Sequence, residues 1–387
     1  MMSKEATIVF DGGTSNSKII ASFPNTSSVF NEEKHYLVSP WIRQIDKESY
    51  QELLEEKIEE SVQISLNDSL ISFVDPKTNK IVYWQISTAI ARKGILFLED
   101  RKFENLMVKI LAFVGYLAKN YHREIEINLG ILLPLDEIDD RRDLAKWLRQ
   151  IFDGDGFRIN NKKVNNMGIK RLNIKPEGYG IVKNSSTEKT GIFIIGHNDL
   201  TWLYSFEGNI RKDLSKTFPS TGMHDVINKL KYPIIDEFEA ARILSEAGEK
   251  SDRETLRKLT QTKSDDELDR LIEELNKARK KYWRERREDI CNLSIELADE
   301  VFIGGGAAHY FKEQIQQLFK KHKIKVNWCS DLKKEFCQRF NLKISNKTTN
   351  LFLDCYSYFK FLNEIKASDT NTSNVVEQPA LKIITSN

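Results

Sequence analysis

The sequence predicts a two-domain α/β protein, and three observations carry that prediction. The chain is 387 residues long, which at roughly 100–200 residues per domain implies two domains, or three at most. The order strand-hairpin, helix, strand, helix recurs in the two halves, so the plan reads as duplicated although no repeat is visible at the residue level. Each half also carries a glycine-bearing turn directly after a strand: Asp11-Gly12-Gly13-Thr14-Ser15-Asn16-Ser17-Lys18 in the first and Gly304-Gly305-Gly306-Ala307 in the second.

The elements follow from local pattern. Ala6 to Phe10 is a β-rich run, and Lys18 to Phe23 is its returning partner across a polar turn. Residues 24–70 are polar and irregular apart from an acidic helix over 49–58. Strands are predicted over 70–74 and 80–86, around Asp75-Pro76-Lys77. Apolar residues at 106, 110, 111, 113, 114 and 117 have helical spacing and place a helix over 103–119. Residues 124–134 read as a buried strand that stops at a proline. In the helix 139–152, Leu144, Trp147, Leu148 and Ile151 share one face. A hairpin at 157–164 and a strand at 168–176 complete the first half.

The second half opens on Glu177-Gly178-Tyr179-Gly180. It continues as a hairpin (191–196 and 200–207), a helix from Gly222 to Leu230, long helices over 236–300, a strand at 299–303, a helix at 309–322 and a strand at 323–328. A last helix is expected over 350–365, with Leu351, Tyr358, Phe361 and Leu362 apolar. The domains are therefore expected at 1–175 completed by 350–366, and at 176–349. The Ser-, Thr- and Asn-rich residues 367–387 are expected to be disordered.

Charge excludes some functions. Lys and Arg total 59 against 57 Asp and Glu, for a net charge of +2. Binding nucleic acid by bulk charge is ruled out, because neutralising phosphates needs a cationic excess. Charged residues still make up 30% of the chain, against about a quarter in ordinary proteins. Much of the excess sits in residues 245–290, with 13 acidic and 13 basic side chains. Leu268, Leu271, Ile272, Leu275, Ala278 and Tyr282 form an apolar stripe there. The segment reads as a helical pair docked on a domain or as a subdomain insertion that makes subunit or nucleotide contacts. No apolar run reaches the roughly 20 residues of a membrane span, and residues 1–7 have no apolar signal core. A cytoplasmic protein with no membrane partner is expected. Cys291, Cys329, Cys337 and Cys355 form no C-x-x-C pair and read as reduced, packed thiols.

Two turns are candidates for chemistry. In residues 11–18, closely spaced backbone N–H groups can form a concave anion site. Gly12 and Gly13 allow close approach of a ligand, Lys18 can neutralise phosphate, and Asp11 can hold Mg²⁺ through water, since magnesium prefers oxygen ligands and keeps much of its hydration. The pattern G-x-x-x-x-G-K-[ST] is absent, so this is not a Walker loop. The run Gly304-Gly305-Gly306-Ala307, between strand and helix, suits close approach of a flat ligand. Taken together, one turn for phosphate and one for adenosine suggest a nucleotide held between two domains.

The segment IVFDGGTSNSK resembles the first phosphate loop of the actin, sugar-kinase and heat-shock-chaperone ATPase superfamily, and VFIGGGAAHYF resembles its adenosine motif. Within that superfamily the chain is most similar to bacterial actin-like proteins of the ParM/StbA plasmid-segregation type, whose Asp, Asn and Lys match Asp11, Asn16 and Lys18. NIKPEGYG resembles the segment that supplies a catalytic carboxylate, which implies that Glu177 positions the attacking water. TGMHDVI resembles the glycine-led helix near the nucleotide, which implies roles for Gly222 and Asp225. The resemblance implies an actin-like fold. It also implies binding and hydrolysis of ATP or GTP with Mg²⁺, head-to-tail filaments, and plasmid DNA engaged through a DNA-binding adaptor. Thr14, Ser15, Gly304, Gly305, Gly306 and Ala307 would line the nucleotide.

The second phosphate loop departs from the pattern Asp-x-Gly-x-Thr. In FIIGHNDLTWL, Gly196 stands where the Asp is expected, and His197, Asn198 or Asp199 would have to replace it. That places hydrolysis in doubt more than binding. The alternatives are a non-hydrolysing nucleotide-binding scaffold and a small-molecule kinase, although no Asp base for a substrate hydroxyl is apparent. A chaperone is disfavoured because no β-rich substrate domain fits after residue 365.

Overall fold

The computed structural model describes residues 5–13, 16–24, 32–38, 41–59, 65–88, 102–120, 124–344 and 347–371. Two compact units emerge, Met1–Pro176 and Glu177–Asn387.

In the first unit, β1 (Glu5–Asp11), β2 (Ser17–Phe23) and β3 (Glu32–Val38) form an antiparallel meander. The chain continues through β4 (Ile42–Ile45), α1 (Lys47–Glu59), β5 (Asp68–Val74) and β6 (Ile81–Ser87). After α2 (Lys102–Asn120) come β7 (Ile125–Leu133), α3 (Arg141–Asp153), β8 (Phe157–Ile159), β9 (Lys162–Val164) and β10 (Met167–Pro176). The main sheet has the order β10-β7-β1-β2-β3, with β7 parallel to both β1 and β10. A second, wholly antiparallel sheet runs β4-β6-β5-β8-β9. The apolar face of α2 is buried at Leu106, Ile110, Phe113 and Leu117, and Phe113 meets Phe10 edge-on at 5.4 Å. Each fully buried side chain of this size contributes about 1.5–3 kcal/mol by removal from water.

The second unit contains α4 (Tyr179–Lys183), β11 (Lys189–Ile195), β12 (Leu200–Phe206), β13 (Asn209–Phe218), α5 (Met223–Asn228), α6 (Glu237–Ala247), α7 (Arg253–Leu256) and α8 (Asp265–Cys291). These are followed by β14 (Glu300–Gly304), α9 (Lys312–Lys321), β15 (Lys325–Asn327), α10 (Ser330–Arg339) and α11 (Leu353–Asn371). Its sheet has the order β13-β12-β11-β14-β15, with β14 parallel to β11 and β15 and the other pairs antiparallel. Strand for strand this is the main sheet of the first unit. Strands β11, β12 and β13 correspond to β1, β2 and β3, and β14 and β15 to β7 and β10. The duplicated plan is therefore a duplication of topology.

Several expectations change. The stretch 24–70 holds β3 and β4. Strand β13 and helices α4 and α10 had no counterpart in the sequence reading. A 3-10 turn, Leu135–Asp140, precedes α3, and another, Ala308–Phe311, precedes α9. Helix α11 groups with the second unit, where it packs on α4, and not with residues 1–175. It also runs to Asn371, so the expected tail does not start at 367; residues 372–387 lie outside the described residues. Cys329, Cys337 and Cys355 are buried free thiols, whereas Cys291 is exposed.

The charge-rich segment is a core helix with a charged outer face. Ser264 caps α8 by accepting from the Glu267 N–H, and Leu268, Leu271, Leu275, Ala278 and Tyr282 bury into the second unit's core. Buried Arg279 donates to the Glu249 carbonyl at 2.6 Å and to Ser251 Oγ at 3.0 Å, with its guanidinium 3.9 Å from the centre of the Tyr310 ring. Outer charges pair within the segment, as in Arg253–Asp269 at 2.5 Å and Arg257–Asp265 at 2.8 Å. Such exposed pairs are worth at most about 1 kcal/mol each.

Candidate functional site

The turn of the first hairpin follows Asp11, the last residue of β1, whose backbone pairs with Lys18 of β2. Lys18 Nζ lies 3.2 Å from Asp11 Oδ2, and both side chains are largely buried. A Cβ on Gly13 would fall 2.3 Å from Lys18 Nζ and 2.9 Å from the Asn16 carbonyl oxygen, so glycine is what lets the ammonium lie against the turn. Gly12 is covered by α2, and its absent Cβ would meet Leu106 at 3.1 Å. Thr14 and Ser15 lie outside the described residues.

Two further groups converge on this turn, and the sequence reading missed both. Lys109 sits one helical turn after Leu106, on the same face of α2. It is buried, and no carboxylate among the described residues pairs with it. Burial first, and the charge of Lys18 second, push its ammonium down to about 8. Ser17 is fully buried with no hydrogen-bond partner for Oγ among the described residues. A lone charge and a lone hydroxyl are costly inside a protein. The signal for Lys109 was present in the sequence, because a lysine interrupts the apolar stripe of α2.

The equivalent turn of the second unit, 196–199, is built differently. The Gly196 N–H donates to the Asp199 carbonyl at 2.8 Å. The N–H groups of Gly222, Met223 and His224 donate to the carbonyls of Asn198, Gly196 and His197 at 2.8, 3.1 and 2.8 Å. The first donors of α5 are therefore occupied by the turn. Gly222 is required by that approach, since a Cβ would lie 2.5 Å from the His197 carbonyl oxygen and 2.6 Å from that of Gly196. Asn198 is buried, donates to Asp199 Oδ1 at 2.8 Å, and leaves its own Oδ1 without a partner among the described residues.

Asp225 pairs with Lys229 on its own helix and lies 3.7 Å from Arg286 Nε of α8. Tyr282 of α8 donates to the Thr221 carbonyl at 2.6 Å beside it. In this arrangement Asp225 ties α5 to the charged helix.

His197, His224 and Glu237 meet next to the turn. His224 Nδ1 hydrogen-bonds Glu237 Oε1 at 2.6 Å, which raises the imidazole above its ordinary value. Burial alone would raise the Glu237 carboxyl, but the two histidines beside it hold it at about 2.

The glycine run ends β14. Gly305 has φ +86°, a conformation open to glycine, and its absent Cβ would lie 2.2 Å from the Ile195 carbonyl oxygen. Ala307 is buried in the core and donates to that same carbonyl at 3.0 Å. Much of this motif thus serves packing against β11, and Gly304 has the most open surroundings of the three glycines. Glu177, the first residue of the second unit, is half-buried. The next residue, Gly178, donates its N–H to Asp354 Oδ2 at 2.5 Å, and Asp354 Oδ1 also accepts from the Ile181 N–H at 3.2 Å. The carboxylate of α11 thereby anchors the chain around Glu177.

No family model matches the chain, and no curated protein matches it. Solved structures do. The actin-like protein Alp7A aligns over 96% of this chain and 99% of its own, at TM-score 0.60 and 10% identity. The fold is actin-like. The Alp12 filament structure covers 94% of this actin-like chain and 100% of its own at TM-score 0.54 and 13% identity. Bacillus thuringiensis ParM with AMPPNP covers 94% and 99% at TM-score 0.54 and 11% identity. No helix among the described residues is long and apolar enough to cross a membrane.

Proposed function

We propose that this actin-like chain binds ATP or GTP with Mg²⁺ at the β1–β2 turn and assembles, while nucleotide-bound, into head-to-tail filaments that position plasmid DNA through a DNA-binding adaptor. The observation that carries the reading is the unbalanced charge at the turn. Buried Lys109 has no carboxylate partner among the described residues and lies close to the Asp11–Lys18 pair, where a polyphosphate would supply an anion. The fold supports the assembly: its structural relatives include a solved filament and a ParM bound to AMPPNP. A head-to-tail interface that does not close on itself gives a filament.

The residues present fit the metal. Asp11 and Ser17 offer hard oxygens, one anionic and one a buried hydroxyl without a partner among the described residues, and magnesium favours such donors with much of its water retained. When bound, Mg²⁺ would neutralise charge on the β- and γ-phosphates. The chain's own contribution is alignment. Gly12, Gly13 and Asn16 bring backbone close to the phosphates, and Lys18 and Lys109 stabilise the charge that builds on the transferred group. Gly304, Gly305 and Gly306 are proposed to approach adenosine. Glu177, held by the anchor at Gly178, positions the attacking water, because phosphoryl transfer depends chiefly on alignment and charge stabilisation.

A second reading has an observation of its own. The turn 196–199 has no Asp at Gly196, and its carbonyls occupy the donors of α5. That arrangement favours a filament that binds nucleotide and hydrolyses it slowly or not at all. Sedimentation and negative-stain microscopy with and without ATP and Mg²⁺ test assembly, and filaments only with nucleotide are expected. Phosphate release separates the two readings: release above that of Glu177→Ala supports hydrolysis, and equal release supports the scaffold.

A further inference from the structure

We propose that His197, His224 and Glu237 form a binding site for a divalent transition-metal ion of the zinc type, which clamps the β11–β12 turn to α5 and α6. The three donors come from three separate elements, and their ligating atoms all lie within 4.8 Å of one another. Glu237 Oε1 is 2.6 Å from His224 Nδ1 and 2.7 Å from His197 Nε2.

Hydrogen bonding alone does not account for this arrangement. The side chain of His197 is 2% exposed. Its Nε2 lies near the carboxylate without forming a hydrogen bond to it, and Nδ1 also has no partner among the described residues. A buried imidazole with both nitrogens unmatched is unfavourable. The ring is fixed on one side by Phe238, with ring centres 4.6 Å apart, so it cannot easily turn to better partners.

The donor chemistry selects the ion. Two imidazoles and one carboxylate suit zinc and its neighbours in the transition series, whereas magnesium and calcium take all-oxygen sets. Three protein ligands leave a fourth tetrahedral position for water. Ligands about 2.0–2.1 Å from zinc stand roughly 3.4 Å apart, so Glu237 would move back by under an ångström. His224 would bind through Nδ1, and its Nε2–H would then donate to Asn228. Asn228 Nδ2 is already 2.7 Å from His224 Nε2, and a turn of that amide presents its oxygen instead.

The test is equilibrium dialysis of the full chain against zinc chloride, read by metal content and repeated with cobalt(II) for the visible absorption of a tetrahedral site. The expected result is a single zinc per chain, a raised unfolding midpoint with zinc, and tetrahedral cobalt bands. His224→Ala and Glu237→Gln should each weaken binding by at least about tenfold, and His322→Ala should not. Both test residues are partly exposed, and circular dichroism confirms that the variants fold. Failure of the wild type to retain zinc, or equal retention by His224→Ala, overturns the proposal. None of these readouts requires nucleotide.

Discussion

The two hairpin turns occupy the same place in two sheets of the same topology, and they have opposite chemistry. The turn after β1 is closed by a side-chain pair, Lys18 with Asp11, and gathers groups that lack partners among the described residues: the ammonium of Lys109 and the hydroxyl of Ser17. The turn after β11 is closed by backbone, with three of its carbonyls taken by the start of α5. The first turn is closed through side chains, and the second is held to α5 through its backbone. Duplication of a scaffold thus leaves each turn free to specialise.

The comparison can be broken in several ways, and the largest effect should come from the first turn. Removing a charged hydrogen-bonding partner costs about 1.5–3 kcal/mol. Lys18→Met should therefore weaken binding of a fluorescent ATP analogue by roughly ten- to a hundred-fold. Asp199→Asn in the second turn should change that affinity by less than about threefold.

A comparable effect on stability is expected at the second turn. Gly222→Ala drives a Cβ into two backbone carbonyls, an overpacking cost of about 1–3 kcal/mol, read as a lower urea midpoint. Gly168→Ala is the control, because nothing lies within 4 Å of its added Cβ, and its stability should stay within about 0.5 kcal/mol of wild type.

Proton linkage sharpens the contrast. Lys109, lowered to about 8, is partly neutral near that pH, and an arriving phosphate favours its charged form. Nucleotide binding at pH 8 should take up protons, so the calorimetric enthalpy should vary with the ionisation heat of the buffer, and affinity should fall as pH rises further. In the second turn the sign differs. His224 is raised, so its contribution to stability is complete below its ordinary 6.5 and is lost as pH rises through the higher folded value. Glu237 is lowered to about 2 from 4.5, so its contribution is complete above 4.5 and is lost as pH falls through about 2. Urea midpoints against pH for the metal-free chain and for His224→Ala should differ in slope above neutrality, the smallest of these effects.

Both turns, and the strands on either side of them, were legible in the sequence because β1, β2, β11 and β12 are buried, β-branched and aromatic runs. Strands β3 (EEKHYLV) and β13 (NIRKDLSKTF) were not, because they are sheet edges with exposed, charged faces. Asp11, Gly13 and Lys18 were readable as one turn between two strands, and the structure pairs Asp11 with Lys18 across it. Lys109 interrupts the apolar stripe of α2 in the sequence, but a charge in a helix is ordinarily solvated, and its burial is a fact of the tertiary structure. The steric need for glycine at 222 was not legible for a similar reason: the carbonyls it accommodates are distant in sequence. The charge excess of residues 245–290 was visible at once. Its physical role was not, because the buried stripe of α8 and the in-chain ion pairs depend on tertiary packing.

The central claim is that the β1–β2 turn, with Lys109 behind it, holds the phosphate end of a nucleotide. The most direct measurement is a calorimetric titration of Lys109→Met with ATP and with adenosine, each in Mg²⁺. The account predicts that ATP affinity falls at least about tenfold, adenosine affinity is unchanged, and the proton uptake near pH 8 disappears. Wild-type ATP affinity and undiminished proton uptake in the variant would contradict it.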